Sequence, residues 1–376
     1  MANTLTVLVP TLIQSLQRVL RQTGFVMNVP TLDASAAVAG LNQPINLPAT
    51  AAQATYTVSP GAVPPALVDT TPTTATLTLS QYKGSRFHVT GEDWRNLAAR
   101  GPDFRLRQVD EAIAALLHEA AAYVWTDLDA NAGWALGTDG TAPFASSPDI
   151  LMDAWKMLSD AKAPEMDRIL ALSTFDYASA GKLDQFQKLN EAPQGTSFAN
   201  ARLGMLANFN VGWDQAIGEH TPGTQNGAYL VNNLAGYAVG ATAIAIDTGA
   251  GTWLAGDVVS FAAQTERYVV DSFAGGVLTI RQGLRLAIAD GDAVVGQAAH
   301  RSNIFAHRDA AVLAIRPPAE APDGDAATQV AIIPDPVTGI ALRLAQYKGY
   351  HASQWEVSIV YGHKVRRSAL LGKLIG

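Results

Sequence analysis

Apolar residues recur at three- and four-residue spacing over 104–128, where Leu106, Val109, Ile113, Leu116, Leu117, Ala120, Val124 and Leu128 share one face. Arg105, Arg107, Asp110, Glu111 and His118 fall largely on the other. The spacing predicts an amphipathic helix roughly 37 Å long at about 1.5 Å per residue, the span of a domain. A shorter helix is predicted over 10–22 from Leu12, Ile13, Leu16, Val19 and Leu20, with Pro10 in its first turn and Gly24 as its stop. Another begins at Gly91. Ser147, Pro148 and Asp149 supply a cap, a first-turn proline and an acid for a helix running to about Lys162. Ser173 and Asp176 open one over 177–183, directly after a buried-type strand at 168–172.

The period changes to two between 223 and 300. Segments 241–246, 257–261, 266–270 and 276–280 set β-branched or aromatic residues between Gly and Asp turn signals at intervals of about ten residues, the pattern of a small barrel or sandwich. Strands are also predicted at 209–211 and 310–315, and these two flanks are expected to belong to one sheet that the β-rich excursion interrupts. Further strands follow at 330–333, 340–344 and 355–361. The basic cluster Lys364, Arg366 and Arg367 after them reads as a solvated edge or a subunit contact rather than a nucleic-acid patch.

Residues 26–74 are rich in Ala, Pro and Thr, with Pro30, Pro44, Pro48, Pro60, Pro64, Pro65 and Pro72, and cannot form a core of their own. Alternation at 54–58 and again at 75–80 predicts a long hairpin with Tyr56, Val58, Leu77 and Leu79 on matched apolar faces, which argues against a disordered linker. A hairpin with one apolar face needs a partner surface. The expectation is that a neighbouring copy supplies it, so Tyr56, Val58, Leu77, Leu79, Arg366 and Arg367 are the candidate inter-subunit contacts.

Composition narrows the function. Hydrophobic residues make up 48% of the 376 and charged residues only 16%, against roughly 25% in ordinary soluble domains, so much of the surface is small or uncharged and easily buried against neighbours. A net charge of −7 argues against a nucleic-acid reader, leaving at most non-specific contact with double-stranded DNA. The absence of cysteine excludes disulfides and thiol-based metal sites. No apolar run reaches 18 residues, and no basic region precedes the apolar stretch 5–10, so neither a membrane span nor a signal peptide is expected.

Candidate chemistry is incomplete wherever it begins. His118 and Glu119 start a zincin-like motif, but Ala122 occupies the second ligand position. Asp127, Asp129 and Asn131 imitate the opening of a calcium loop, with Ala132 in place of the turn glycine and Thr138 in place of the bidentate acid. No nucleophile elbow occurs, and the Gly249–Ala250–Gly251 turn lacks the third glycine and the helix of a phosphate loop. His220, His300 and His307, with Asp309, lie near the two ends of the β-rich segment at spacings that fit no standard ligand set, and junction hydrogen bonds are expected of them. No catalytic, cofactor or metal site is predicted.

The order of elements resembles the major capsid (coat) proteins of tailed bacteriophages, the Hong Kong 97-type α+β fold, in the short-tailed-phage branch that carries an inserted β-barrel. The resemblance rests on segments 168–177, 203–211, 255–261, 303–310 and 353–362, read by order and spacing over most of the chain. It implies an N-terminal arm (1–47), an extended loop (48–87), a spine helix and peripheral domain (88–145), and an axial domain in two parts (146–221 and 301–318). The insert would be 222–300, with C-terminal peripheral strands at 319–376. It further implies hexamers and pentamers closing into an icosahedral head around double-stranded DNA, with portal, scaffolding and decoration proteins as partners. The location implied is the virion, assembled in the host cytoplasm. Some relatives join loop to neighbour through a Lys–Asn bond; Lys83 lies near the loop base, but no catalytic setting around it is recognisable and that chemistry is not carried over. A tail-tube or tail-sheath protein is the alternative reading, with a β-rich hydrolase behind it.

Overall fold

Residues 24–49, 55, 57–58, 60, 73–92, 103–184, 203–225, 227–262, 264–335 and 338–376 are described by the computed structural model. The helix predicted over 10–22 lies outside them, as does most of the one beginning at Gly91. Along the chain, β1 (Thr31–Ala34), β2 (Pro44–Ala49), β3 (Thr73–Thr78) and β4 (Gln81–Thr90) precede the long helix α1 (Asp103–Ala130). There follow β5 (Trp134–Gly137), α2 (Ile150–Asp160), β6 (Arg168–Leu172), α3 (Thr174–Gly181), β7 (Met205–Leu206), β8 (Phe209–Trp213) and β9 (Glu219–His220). Six short strands come next: β10 (Tyr229–Val231), β11 (Ala243–Asp247), β12 (Val258–Phe261), β13 (Tyr268–Ala274), β14 (Val277–Ile280) and β15 (Ala293–Gly296). The chain continues through β16 (His300–His307), β17 (Ala311–Arg316), β18 (Gln329–Pro334), β19 (Ala341–Gly349), β20 (Ala352–Val365) and β21 (Leu371–Ile375). The class is mixed α+β, with strands dominating.

The helix α1 follows its apolar periodicity. Val109, Ile113, Leu116, Leu117, Ala120, Val124 and Leu128 are all buried, in a core that also takes residues from both main sheets. At 28 residues α1 spans roughly 42 Å, and it packs on β20 and β4. Lys83 on β4 meets Glu119 on α1 at 2.6 Å, with both side chains 40–50% exposed. Such an open pair contributes little, so Lys83→Ala is expected to lower the unfolding free energy by less than about 1 kcal/mol in a denaturant titration.

One sheet has the order β1-β17-β20-β19-β18, with β4 laid along β20. The other runs β5-β21-β16-β6-β8-β7, with β9 on β16. Within the second, β21 lies between β5 and β16, parallel to the former and antiparallel to the latter. The two flanks of the β-rich segment therefore do not continue one sheet. β8 lies beside β6, whereas β17 belongs to the other sheet, and it is β16 that returns to β6 after the excursion. A single 3-10 turn, Arg308–Ala310, carries the chain from one sheet to the other. The sequence pattern could not separate these cases, because β16 and β17 are both buried along nearly their whole length and show no alternation.

β10 to β15 pair antiparallel in the order β12-β15-β10-β11-β14-β13, and β13 pairs again with β12, so the ring closes. It encloses a separate core that includes Tyr229, Trp253, Phe261, Tyr268 and Leu278. β13 touches the larger sheet at the single register pair Tyr268 and Trp134.

The expected hairpin is differently made. The partner of β3 is β2, from Pro44↔Thr78 to Ala49↔Thr73, while residues 55, 57 and 58 carry no strand pairing. Pro44 and Pro48 share one parity of this two-stranded ladder, where a missing N–H can face away from the partner. Leu77 and Leu79 are correspondingly not open to a neighbouring copy. Both are 0% exposed, packed with Ala39, Leu47, Val312, Ala314 and Val360 of the same chain. Gly362 on β20 permits this approach, since a Cβ there would stand 2.2 Å from the Thr78 carbonyl oxygen.

Candidate functional site

Where the ring of strands joins the body, a buried polar cluster draws on five separate parts of the chain. The last turn of α1 supplies Asp129. The paired strands β9 and β16 bring His220 opposite His300, with Ser302 further along, while the turn into β12 supplies Asp257 and β21 supplies Lys373. Lys373 is 0% exposed; its ammonium donates to Asp129 Oδ1 at 2.8 Å and to the Gly256 carbonyl at 2.5 Å. The imidazole of His220 stands between two carboxylates, with Nδ1 2.6 Å from Asp129 and Nε2 2.9 Å from Asp257. Asp257 also accepts from the backbone N–H groups of Gly223 and Leu254, and Ser302 Oγ donates to Asp129.

Two carboxylates, one ammonium and one doubly bonded imidazole balance in charge when His220 is protonated. Burial works against that protonation, but the hydrogen bonds to Asp129 and Asp257 overcome it and raise the pKa of His220 above the ordinary histidine value. Burial would likewise push the Asp129 carboxyl up, yet Lys373 and His220 outweigh it and hold Asp129 well below the usual carboxylate range. His300 differs. It stacks on His220 with ring centroids 5.2 Å apart, and its Nδ1–H donates to the Ala298 carbonyl at 2.7 Å. Burial, helped by the nearby charges of Lys373 and His220, pushes its pKa down to about 4. The two shifts run in opposite directions, favouring a charged imidazole at His220 against a neutral one at His300.

Gly256 makes the close fit possible. Its φ is +94°, and an added Cβ would lie 2.8 Å from Ala130 Cα and 3.3 Å from His220 Cε1. Gly256→Ala combines a left-handed backbone with a backbone clash, so a loss of about 2 kcal/mol or more is expected, read as a shift in the denaturant midpoint.

The residues singled out in sequence meet different fates. His220 and His300 come together as junction groups, as expected, whereas His307 sits at the far end of β16, roughly 23 Å along the strand, accepting from the Asp309 N–H. Asp127 and Asp129 do not converge on a cation site: Asp127 holds His363 Nδ1 at 2.5 Å and the Asn131 amide at 2.9 Å. Among the described residues no group of three or more His, Cys, Asp or Glu is placed to hold a metal, and none of their helices is long and apolar enough to cross a membrane. Of the candidate contact residues, Tyr56 lies outside the described residues, Val58 is 76% exposed, and Arg366 and Arg367 are on the surface after β20. Lys373, Asp257 and Ser302 were missed. The one available signal was a lysine inside the apolar run Leu371–Ile375.

No protein-family model and no curated protein matches the sequence. Solved structures match by fold. The cyanophage P-SCSP1u capsid structure aligns over 94% of this chain and 88% of its own, with a TM-score of 0.52 at 11% identity. The fold is that of a phage capsid chain. A structure from Mycobacterium phage Che8 aligns over 89% of this chain and 84% of its own (TM-score 0.45, 13% identity). The virus-like particle from Pyrococcus furiosus aligns over 97% and 98% (TM-score 0.43, 8% identity). In this capsid fold every side chain of the cluster is buried and bonded within the chain, so its chemistry is cohesive: it fastens the ring of strands to the helix and to β21.

Proposed function

We propose that this chain is the major capsid protein of a tailed phage, structural rather than enzymatic, whose copies associate as hexamers and pentamers into an icosahedral head enclosing double-stranded DNA. The observation that carries the reading is the fold likeness over nearly the whole length of both chains. In the Hong Kong 97-type arrangement, α1 is the spine, the sheet of β18 to β20 belongs to the peripheral domain, and β6, β8 and β16 belong to the axial domain, whose second part, 301–318, runs on through β17 into the peripheral sheet. The ring β10 to β15 is the inserted β-barrel. Portal, scaffolding and decoration proteins are the further partners this reading suggests, and DNA contact is non-specific, consistent with the net charge of −7.

Assembly places the burden on surfaces that one copy leaves open. Val58 is 76% exposed in the loop between β2 and β3, and a stable assembly interface buries on the order of 2,000 Å² or more. Val58→Glu is expected to reduce assembly severalfold at unchanged unfolding midpoint, measured by light scattering. Size-exclusion with light scattering, then negative-stain imaging of the largest species, tests the function itself. Closed polyhedra or ring-shaped capsomers support it; tubes favour a tail protein instead, and a lone monomer at all concentrations refutes it.

A further inference from the structure

A cleft of about 470 Å³ lies where α2 ends and the chain changes sheets, lined by Lys162, Asp309, Arg366 and Arg367 together with residues 368–370. It is a formed feature rather than a chance gathering of long side chains. The N–H groups of Arg366 and Arg367 both donate to the Ala310 carbonyl, and Lys162 closes the turn after α2 in the left-handed conformation, with φ of 59°. Arg366 Nη2 stands 3.9 Å from Asp309 Oδ1, so one of the three cations is partly answered and the lining keeps a surplus of two positive charges.

The complementary feature sits at the other end of the same strand. β17 starts beside the cleft at Ala311 and ends at Arg316, after which the chain forms the loop 319–324, exposed at every residue. That loop carries Glu320 and Asp323, and no Lys or Arg occurs between 317 and 328. It is held at both ends. The Ala319 N–H donates to the Ala39 carbonyl, while Asp325 is tied to Arg343 and accepts from the Ala327 N–H; between them the turn closes with the Gly324 N–H on the Ala321 carbonyl. A loop so anchored loses little freedom on binding.

The two features cannot meet within one chain, because β17 separates them by roughly 17 Å along one sheet. A second copy can bring them together. We propose that the Lys162–Arg366–Arg367 cleft receives the Glu320–Asp323 loop of a neighbouring copy, a head-to-tail contact of the kind that closes rings. The proposal rests on the capsid reading and adds to it the surfaces that join copies. A polyanion such as DNA is the less suitable occupant, since Asp309 lies inside the cleft and a surplus of two charges neutralises few phosphates.

Charge reversal tests it. Arg366→Glu with Arg367→Glu, and separately Glu320→Lys with Asp323→Lys, are each expected to slow assembly about tenfold or more in low salt, the size of a lost steering effect. The quadruple variant restores complementarity between copies and is expected to regain the wild-type rate within about threefold. Unfolding midpoints within error of wild type establish that every variant is folded. The proposal is overturned if either double variant assembles at the wild-type rate, or if the folded quadruple variant stays as slow as the doubles. Loss of double-stranded DNA binding by the arginine variant, with assembly intact, also overturns it and assigns the cleft to phosphate. Failure of the wild-type protein to assemble at all would instead count against the capsid reading.

Discussion

Replacing Lys373 with methionine is expected to lower the free energy of unfolding by about 3–5 kcal/mol, the range for a buried charge deprived of its partner. Asp129 is 4% exposed, and its ionised form is maintained against the penalty of burial chiefly by this ammonium. Without it, the carboxylate keeps His220 and Ser302 but loses its full countercharge. Asp129→Asn is expected to cost a similar amount by leaving the buried Lys373 ammonium without its countercharge. The double variant Asp129→Asn with Lys373→Met should be less damaged than the two single losses added together, by more than about 1 kcal/mol, because the residues act as one unit. Guanidinium unfolding followed by tryptophan fluorescence provides the measurement. Single losses below about 0.5 kcal/mol would mean the cluster does not hold the ring to the body.

Acidification is expected to loosen the same junction through His300. Its pKa lies at about 4 in the folded chain against an ordinary 6.5, so between these values the unfolded chain binds the proton more readily. The stability tied to its neutral form is complete above pH 6.5 and is lost as pH falls towards 4, amounting to roughly 3 kcal/mol. Below the ordinary aspartate value of 3.8 the loss from Asp129 adds to it, since a lowered carboxyl contributes stability only above that point. His220 has the opposite sign: its raised pKa contributes fully below 6.5 and fades as pH rises through the folded value. Stability from this cluster should therefore peak near pH 6.5. His300→Phe keeps a ring against His220 and should flatten the slope between pH 6.5 and 4; an unchanged slope in pH-dependent unfolding would place the acid sensitivity elsewhere.

What could be read from the sequence follows from where each element is buried. α1 was legible because a helix with one buried and one exposed face writes its period in the chain, and β6 because a short apolar run bounded by turn signals has few other uses. β11, β12, β13 and β14 were legible to within a few residues, through their Gly and Asp turns. β10 and β15 were not, β10 having only three residues in which to alternate and β15 only one buried residue, Val294. β4 carries Lys83, Arg86 and His88, alternating partly buried with exposed residues, and its polarity concealed it. The junction cluster was half visible. Two histidines near the ends of the excursion suggested hydrogen bonds, but their partners lie 91 and 37 residues from His220, and only the fold unites them.

The ring leaves and re-enters the body through a single rung, His220 opposite His300 on β9 and β16. Entry and exit are therefore neighbours, and the ends of any segment spliced between 221 and 299 would meet the same spacing whatever its size. Evolution or an engineer can treat that rung as a socket: a short turn there would close the body without the ring, and a foreign module with adjacent termini would fit in its place. The body's requirement is modest: a carboxylate presented where Asp257 now stands, so that His220 keeps two acidic partners, and a backbone carbonyl for Lys373 where Gly256 now supplies one.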